Sequence, residues 1–565
     1  MDFSIAEQIA EKFGWLKLRQ EVSSYSLNTF KSDLWAGALV AAIAIPSVMA
    51  FAMLARFNPV YGIYSFVIAG IAATFVGVSA YAIVGPTSVV ALMISSALGT
   101  LAITGPEKLG AVLLLTLMVG VIQIILSFFD FGKLANYISR SVIVGLITGV
   151  AVIIAVGQLT RILGVEQIHE GNVISYLYQI GVNIGSINLA PLFIALATII
   201  VVLIGKEVLT KAPAYLLAIG TSVGLVYLFG LEAEVQLVGD FQGVFPGFNF
   251  PTLNLSLARK FLSYSFTIAM LGFLEVVTVS EFDSKGAVDE EDINKEYLRL
   301  GVANVACSLF GGFAGGESFT RSFINHEAGA KSRFSQLIAV IFVLIFMVFF
   351  GWIIKYFPFA SLGAILILIA FEMVDWEEIK KIVTATRFDT LIFFVTFFTV
   401  ILVPRLDYAV YLGILFSLLL LVKDSSNVNY SYLKIEDEEI DQMQPSKLEE
   451  KDQVIMDLSG DLHFAATEDL RKKLEEAIQK EKVLIIRMRN VDDIDMTVIE
   501  ELEEVINKAK QRDVQVFFTG LSSVLQRKFK KAGLIEKLGQ DHFFTREKEL
   551  FKASKEAIKK AEEDS

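Results

Sequence analysis

An arginine and a run of glycines lie together inside a strongly hydrophobic part of the sequence. The run reads Gly311-Gly312-Phe313-Ala314-Gly315-Gly316-Glu317-Ser318-Phe319-Thr320-Arg321-Ser322. An arginine at membrane depth is costly and is usually kept because it faces a cavity, a partner or a substrate. Backbone that is not helical is tolerated at that depth only where it is buried in protein or lines a water-filled cavity. The segment therefore predicts an anion site with Arg321 as its fixed positive charge.

A second break, Gly85-Pro86-Thr87-Ser88, interrupts another hydrophobic stretch about seven predicted spans earlier. Each break is followed by a hydroxyl residue and a helical apolar run, which predicts a short helix whose positive N-terminal end points inward. Paired Gly/Pro interruptions in two halves of a chain are typical of transporters with inverted repeats, and two facing helix ends could bind an anion. The alternative is that glycine and proline are common in membrane helices anyway.

These two breaks and one kinked span supply the predicted substrate-binding residues. In the first predicted span, Pro46 removes a helix hydrogen bond and leaves carbonyl groups that need a partner. The candidates that could contact the anion are Ser47, Thr87, Ser88, Ser318, Phe319, Thr320 and Arg321.

Two acidic residues are candidates for ion coupling. Glu275 is a lone carboxyl group in a hydrophobic span, where desolvation disfavours its charged form, so it could carry a proton; a hydrogen-bonded structural role is the alternative. Glu317 precedes Arg321 by four residues, and on a helix the two would share a face. Either they neutralise each other, or protonation of Glu317 frees Arg321 for the anion.

Composition predicts a membrane domain followed by a soluble one. The chain has 565 residues, is 54% hydrophobic and has a mean hydropathy of +0.59. A net charge of -12 without a basic face argues against a nucleic-acid partner. Apolar segments long enough for a lipid bilayer predict about fourteen spans, several of them short or broken. The predicted segments are 33–55, 61–79, 83–101, 109–129, 138–159, 190–206, 213–230, 261–281, 299–312, 317–328, 334–354, 360–374, 389–403 and 405–422.

The distribution of charge divides the chain into four parts. Residues 1–32 form an amphipathic N-terminal segment, 33–422 the transmembrane domain, 423–450 a charged linker and 451–565 a soluble domain. Basic residues concentrate in connections that are cytoplasmic if both termini lie inside the cell, as the positive-inside rule requires. The location expected is the inner (plasma) membrane, with both termini cytoplasmic.

The soluble part alternates between strand and helix patterns, which is typical of an α/β domain. The predicted elements are strand 454–458, helix 467–479, strand 483–486, helix 497–510, strand 514–518 and helix 522–532. The sequence contains no phosphate-cradling loop, metal-ligand cluster or nucleophile constellation. We therefore expect neither an enzyme nor a cofactor.

Several motifs in order resemble the SulP sulfate permease family with a C-terminal STAS domain. They are Asp33-Leu34-Trp35-Ala36-Gly37, Ala44 to Ala52, Tyr61-Gly62-Ile63-Tyr64, Gly85-Pro86-Thr87, Ser318 to Asn325, Gly329-Ala330-Lys331, Ser459 to Phe464 and Asp492 to Thr497. The resemblance implies an α-helical polytopic membrane protein with a seven-plus-seven inverted repeat, core and gate domains, elevator-like alternating access and a homodimer. It also implies an acidic residue in the eighth span, which Glu275 supplies.

The sequence departs from the family pattern at four positions. Ser47 stands where the family usually has Gln after the proline, Glu317 stands where Gly is common, and Thr320 replaces a Ser. Met496 occupies the position of the serine that is phosphorylated in switched STAS domains. The usual phosphorylation switch is therefore not expected, and the partner of the STAS domain stays unknown.

The resemblance and the residues together predict a secondary active anion transporter in the lipid bilayer. Proton-coupled sulfate symport is favoured because Glu275, Val279 and Arg321 differ from the pattern of family members that resemble sodium-bicarbonate symporters. The alternatives are bicarbonate or C4-dicarboxylate uptake coupled to protons or sodium, and an uncoupled anion exchanger or channel. A membrane-anchored STAS regulator that moves nothing would not need the half-helices or the arginine.

Overall fold

The fold is described from a computed structural model. It covers residues 11, 13–105, 107–129, 139–165, 173–208, 211–240, 247–280, 290–403, 405–424, 429–436, 439–443, 453–460, 462–480, 482–547, 549 and 551–563. The chain divides into two compact units, Met1–Ser417 and Leu418–Ser565. The predicted boundary at 450 and 451 lies outside the described residues.

Among its described residues, the first unit is made of helices and two very short strands. In chain order its elements are α1 Trp15–Ser24, α2 Leu27–Leu54, α3 Val60–Thr74, β1 Val84–Gly85, α4 Ser88–Thr100, α5 Glu107–Ser127, α6 Arg140–Ile162, α7 Val173–Val182, α8 Leu189–Val208, α9 Lys211–Leu228, α10 Leu255–Ser280, α11 Glu290–Leu309, β2 Gly316–Glu317, α12 Phe319–Glu327, α13 Phe334–Ile354, α14 Phe359–Met373, α15 Trp376–Ala385, α16 Arg387–Leu402 and α17 Leu406–Asp424. Helix α17 continues across the boundary between the two units.

Each of the fourteen predicted apolar segments coincides with a helix of the structure. Within the described residues, seven helical stretches are long and apolar enough to cross a membrane: Leu27–Leu54, Glu107–Ser127, Arg140–Ile162, Leu189–Val208, Leu255–Ser280, Phe334–Ile354 and Phe359–Ala385. The helices that follow the two breaks, α4 and α12, are shorter, as the sequence predicted. The structure adds α7 and α15, which the span prediction did not include.

Small residues let the helices of this unit approach one another closely. Gly120 of α5 and Gly301 of α11 face each other, and a Cβ built on Gly120 would lie only 2.8 Å from the carbonyl oxygen of Gly301. Helix association inside a membrane depends on such close backbone packing, because lipid gives no hydrophobic drive to bring helices together. A larger residue at either position would push α5 and α11 apart.

The start of α2 is tied to the segment that follows α12. Asp33 is fully buried, and its carboxylate accepts hydrogen bonds from the backbone N–H groups of Lys331 (2.7 Å) and Ser332 (3.2 Å). The hydroxyl of Tyr25 donates to the same carboxylate at 3.0 Å. The hydroxyl of Ser332 also donates to it at 2.5 Å. The buried charge of Asp33 is thus held by four donors, which is how a charge is accommodated away from water.

The second unit is an α/β domain. Its elements are β3 Asn429–Glu436, β4 Glu439–Met443, β5 Gln453–Ser459, α18 Thr467–Lys480, β6 Val483–Asn490, α19 Met496–Lys510, β7 Gln515–Leu521, α20 Ser523–Lys531, α21 Leu534–Leu538, β8 Phe543–Thr545 and α22 Lys552–Glu563. The strand order is β4-β3-β5-β6-β7-β8; β3 pairs antiparallel with β4 and β5, and β5 to β8 run parallel. The predicted strands and helices of this domain are confirmed.

Strand β6 illustrates how the sequence fills both faces of this sheet. Leu484 and Ile486 belong to the larger hydrophobic cluster, whereas Val483 and Ile485 belong to the smaller one, which also contains Ala557 of α22. Successive side chains of a strand point to opposite faces, so an uninterrupted apolar run means that both faces are covered. The continuous run in the sequence was therefore a buried strand.

Two strands, β3 and β4, lie within residues 423–450, which the sequence analysis assigned to a linker. Their register pairs Ile435 with Ile440 and Glu436 with Glu439. The acidic run hid these strands because charged residues can stand in a strand without interrupting its backbone pairing, as they commonly do in an edge strand such as β4.

Candidate functional site

The two breaks in the hydrophobic sequence meet in the structure. Strands β1 and β2 pair antiparallel, with Val84 opposite Glu317 and Gly85 opposite Gly316. Helix α4 begins directly after β1 and Pro86, and α12 begins directly after β2. The prediction that the breaks lie together is therefore confirmed, and the N-terminal ends of the two short helices emerge from one small sheet.

Polar side chains from neighbouring helices satisfy the backbone that precedes β2. Ser65 accepts a hydrogen bond from the N–H of Phe313 (2.9 Å), and Thr116 accepts one from the N–H of Ala314 (3.0 Å). Asn304 binds Gly315 twice, accepting from its N–H at 2.8 Å and donating to its carbonyl at 3.1 Å. Non-helical backbone inside a membrane protein needs such partners, so the surrounding helices hold this segment in its non-helical conformation.

Helix α12 has a defined beginning at Ser318. The hydroxyl of Ser318 accepts from the N–H of Arg321 at 3.4 Å, which is the position of an N-cap residue. The hydroxyl of Ser322 in turn accepts from the N–H of Ile83 at 2.9 Å, joining α12 to the strand before α4. The first turn of α12 is thereby fixed against β1.

Arg321 is buried, and its guanidinium is only partly hydrogen-bonded. Its side chain is 1% exposed, and its Nη2 donates to the carbonyl of Pro86 at 2.7 Å. Its Nε has no hydrogen-bond partner among the described residues. The guanidinium carbon lies 5.7 Å from the centre of the Phe66 ring. Arg321 thus ties the two short helices together and still carries a donor that a bound anion could use.

Arg321 lines a narrow cavity between the short helix α12 and three longer helices. Four of the predicted substrate-binding residues line it: Ser47, Ser318, Thr320 and Arg321. The residues that the sequence analysis did not single out are Ile43, Phe51, Tyr215, Ile369 and Glu372. Ser47 is buried, and its hydroxyl donates to the carbonyl of Ile43 at 2.8 Å, so it satisfies the backbone of α2 next to Pro46.

The other three predicted substrate-binding residues do not line this cavity. Thr87 and Ser88 start α4, where the hydroxyl of Ser88 contacts Sδ of Met373 at 3.3 Å. The hydroxyl of Thr87 is buried without a partner among the described residues. Phe319 is half exposed, and its ring stacks on Phe323. These residues surround the helix ends and lie outside the cavity wall.

Glu275 lies against the small sheet. A Cβ built on Gly316 would overlap Oε2 of Glu275, so an alanine at this position of β2 would require the carboxyl end of Glu275 to shift. The hydroxyl of Thr87 and the guanidinium of Arg321 are neighbours of the Glu275 carboxyl, although the Thr87 hydroxyl does not form a hydrogen bond of normal distance and angle with it. Its Oε2 has no hydrogen-bond partner among the described residues. The acid predicted for ion coupling is thus the acidic neighbour of the predicted anion-binding arginine.

The predicted helical pairing of Glu317 with Arg321 is wrong. Glu317 belongs to β2 and precedes the N-cap of α12, so the two side chains do not share a helix face. Glu317 is 1% exposed, and its charged neighbours are Glu296, Arg299 and Glu275. Neither of its carboxyl oxygens has a hydrogen-bond partner among the described residues. An extended residue before the helix points away from the first turn, which is why the four-residue spacing failed.

Arg299 is the positively charged neighbour of Glu317 and Glu296. It is 1% exposed, and its Nη1 binds Glu296 at 2.8 Å, while its Nη2 donates to the carbonyl of Ala82 at 2.8 Å and to Gln336 at 2.6 Å. Gln336 donates to the carbonyl of Val84 at 2.8 Å. Arg299 and Gln336 thus hold the backbone at and just before β1, where Val84 pairs with Glu317. Among the described residues no cluster of acids, histidines or cysteines could hold a metal ion.

Comparisons with known proteins agree with this architecture. Residues 30–396 match the sequence model of the sulfate permease family, and residues 444–550 match that of the STAS domain. The chain is 30% identical over 532 residues to "Putative sulfate transporter YvdB" of Bacillus subtilis (strain 168), covering 93% of this chain and 98% of that protein.

Two solved structures share the fold. The murine anion transporter Slc26a9 in the inward-facing state superposes with a TM-score of 0.87 at 21% identity, covering 100% of this chain and 96% of that one. The transmembrane domain of the cyanobacterial bicarbonate transporter BicA gives a TM-score of 0.60 at 21% identity, covering 69% and 98%. With the membrane helices, the paired breaks and the C-terminal α/β domain in place, the family match over most of the chain leads to one conclusion: this protein belongs to the sulfate permease family and carries a STAS domain.

Proposed function

We propose that this protein is a proton-coupled sulfate symporter whose anion site lies at the cavity lined by Arg321. One observation carries the proposal: a buried guanidinium with an unpartnered Nε lines a cavity at the N-terminal end of a short helix. Family membership and relatives named as sulfate transporters support anion transport in general.

The chemistry of the cavity suits a tetrahedral dianion. Arg321 supplies a full positive charge and directional donors, and guanidinium groups bind oxyanions through paired hydrogen bonds. The ends of α4 and α12 each add roughly half a positive charge. Ser318 and Thr320 place hydroxyl groups at the cavity wall, and Ser47 lies across from them on α2. Thr87, Ser88 and Phe319 complete the proposed surroundings of the helix ends without lining the cavity.

Glu275 is the proposed proton carrier. An ionised carboxyl group inside protein is costly unless donors or cations hold it, and Oε2 of Glu275 has no donor among the described residues. A proton on Glu275 would remove the negative charge that competes with the anion for Arg321, so proton binding and anion binding would favour each other. Glu317 has the same lack of donors and is the second proposed ion-coupling residue.

The proposal extends to the whole transport cycle. The protein would work as a homodimer in the inner (plasma) membrane, with both termini cytoplasmic, a seven-plus-seven inverted repeat and elevator-like movement of a core domain against a gate domain. Residues 33–422 would form the transport domain. The cytoplasmic STAS domain, predicted as 451–565, would also include β3 and β4, which belong to its sheet, with Met496 replacing the phosphorylated serine. Met496 is exposed at the first position of α19.

Uptake into proteoliposomes tests the substrate and the coupling ion together. The full chain would be reconstituted and supplied with labelled sulfate, bicarbonate or succinate, each with an inward proton gradient, a sodium gradient or neither. We expect concentrative sulfate uptake with the proton gradient alone. Sodium-dependent bicarbonate or succinate accumulation without sulfate uptake would replace the proposal by the second candidate, which the shared fold with BicA favours. Gradient-independent equilibration would indicate an uncoupled exchanger or channel.

A further inference from the structure

A second charged group lies in the wall of the anion cavity. Glu372, near the end of α14, lines the cavity together with Arg321. Lys206 of α8 forms an ion pair with Oε1 of Glu372, and the hydroxyl of Tyr215 on α9 lies 3.3 Å from both carboxylate oxygens. The Lys206 ammonium also lies 4.9 Å from the centre of the Tyr215 ring. Three helices therefore fix an acid where an anion is expected.

An acid in such a wall repels an anion unless a cation balances it. Glu372 is the acidic residue among the described residues that line the cavity, and Lys206 is its partner. The electrostatic energy that a wall charge adds to a bound ion is proportional to the charge of that ion. A change of one unit in the wall therefore affects a dianion twice as much, in free energy, as a monoanion.

We propose that the Glu372 and Lys206 pair sets the discrimination between dianions and monoanions at this cavity. The inference rests on the proposed function, because it takes the Arg321 cavity as the anion site. The two charges cancel at the part of the cavity wall formed by α14. Arg321 and the helix ends therefore determine the affinity for the anion. Tyr215 is a positioning residue that holds the carboxylate at the wall.

Four proteins test the proposal: the parent, Glu372→Gln, Lys206→Met and the double variant. The readouts are binding of labelled sulfate to the purified full chain in lipid nanodiscs and competition by nitrate as a monoanion. Glu372→Gln leaves Lys206 unbalanced and is expected to tighten the binding of both anions, with a change in binding free energy about twice as large for sulfate as for nitrate. Lys206→Met is expected to weaken both in the same ratio, and the double variant should return close to the parent.

A matched pair elsewhere in the same unit gives the control. Arg140 and Glu378 form an ion pair at 2.6 Å, and neither lines the cavity. Glu378→Gln and Arg140→Met make the same changes in charge and should leave both affinities unchanged. If Lys206→Met does not fold, Glu372→Gln alone still decides, because the direction and the ratio of its two effects are both specified.

Two results would overturn the inference. One is that both single variants shift sulfate binding in the same direction, as a merely structural ion pair would. The other is that sulfate and nitrate shift by equal factors. Arg321→Ala in the same assay separates this failure from that of the proposed function. If Arg321→Ala weakens sulfate binding while the Glu372 and Lys206 variants give either of these two overturning results, only the inference fails; if the parent binds no sulfate, the proposed function fails.

Discussion

Replacing Arg321 by alanine removes the charge on which the proposed anion site depends. The structure leaves its Nε without a partner, and its Nη2 holds the carbonyl of Pro86 at 2.7 Å. A hydrogen bond to a charged group contributes a net of about 1.5 to 3 kcal/mol. Losing that contact to sulfate should therefore weaken binding about 10-fold to 150-fold. A monoanion has half the charge and should lose about half as much free energy.

Alanine also removes the bond between Arg321 and Pro86, so a change of fold must be separated from a change of site. Arg321→Lys keeps the positive charge but lacks the planar set of donors, and it should bind sulfate with an affinity between those of the parent and Arg321→Ala. Thermal unfolding of each purified variant shows whether it is folded. Equilibrium binding of labelled sulfate and competition by nitrate give the two affinities. A folded Arg321→Ala that binds sulfate within about twofold of the parent would refute this reasoning. Even the lower end of the free energy expected for a hydrogen bond to a charged group corresponds to a larger loss of affinity than twofold.

Three further outcomes follow from the same geometry. Glu275→Gln imitates the protonated acid, so proton-driven accumulation of sulfate in proteoliposomes should be lost while anion exchange continues; unchanged accumulation would remove Glu275 from the coupling step. Gly316→Ala would place a methyl group against the Glu275 carboxyl and should lower the thermal midpoint and weaken sulfate binding. Gly224→Ala, where nothing lies within 4 Å and alanine is the better helix former, should neither lower the midpoint nor weaken binding. Deleting residues from Lys451 onward should lower expression or transport rate but leave sulfate binding measurable in the protein that folds; complete loss of binding would place part of the site in the STAS domain.

The parts of the site that could be predicted from the sequence are those where the backbone preference of single residues determines the local structure. The doublet Gly315-Gly316 and the Gly85-Pro86 pair each break a hydrophobic stretch, and neither can continue a membrane helix at low cost. Ser318 is a favoured N-cap residue, so the start of α12 could be placed from the sequence alone. That the two breaks face one another was expected from their matching positions in the two halves of the chain, whereas their pairing as strands was not.

The same pattern was misleading for Glu317. Its spacing from Arg321 fits a helix, but an N-cap at Ser318 already places position 317 outside the helix. The acid instead lies near Glu296 and Arg299, which are close in sequence to each other and far from β2. No local pattern predicts which buried cation an extended residue will meet, because that depends on how α11 packs against the small sheet.

Glu372, Lys206 and Tyr215 were missed for a related reason. They lie on three helices, and their contacts join residues 157 and 166 positions apart in the chain. The one signal in the sequence was a carboxylate at the end of an otherwise apolar predicted span, and an acid at a helix end is commonly a solvated residue. Recognising it as part of the cavity wall required the packing of α8, α9 and α14.

The small sheet between β1 and β2 has a consequence for biosynthesis. Ile83 and Ser322, whose hydrogen bond fastens the two halves of the site, are separated by 239 residues. While the ribosome is still making the intervening helices, the backbone groups of Val84 and Gly85 have no strand to pair with, and such groups are costly inside a lipid bilayer. The first half of the site therefore lacks its pairing partner until β2 has been synthesised.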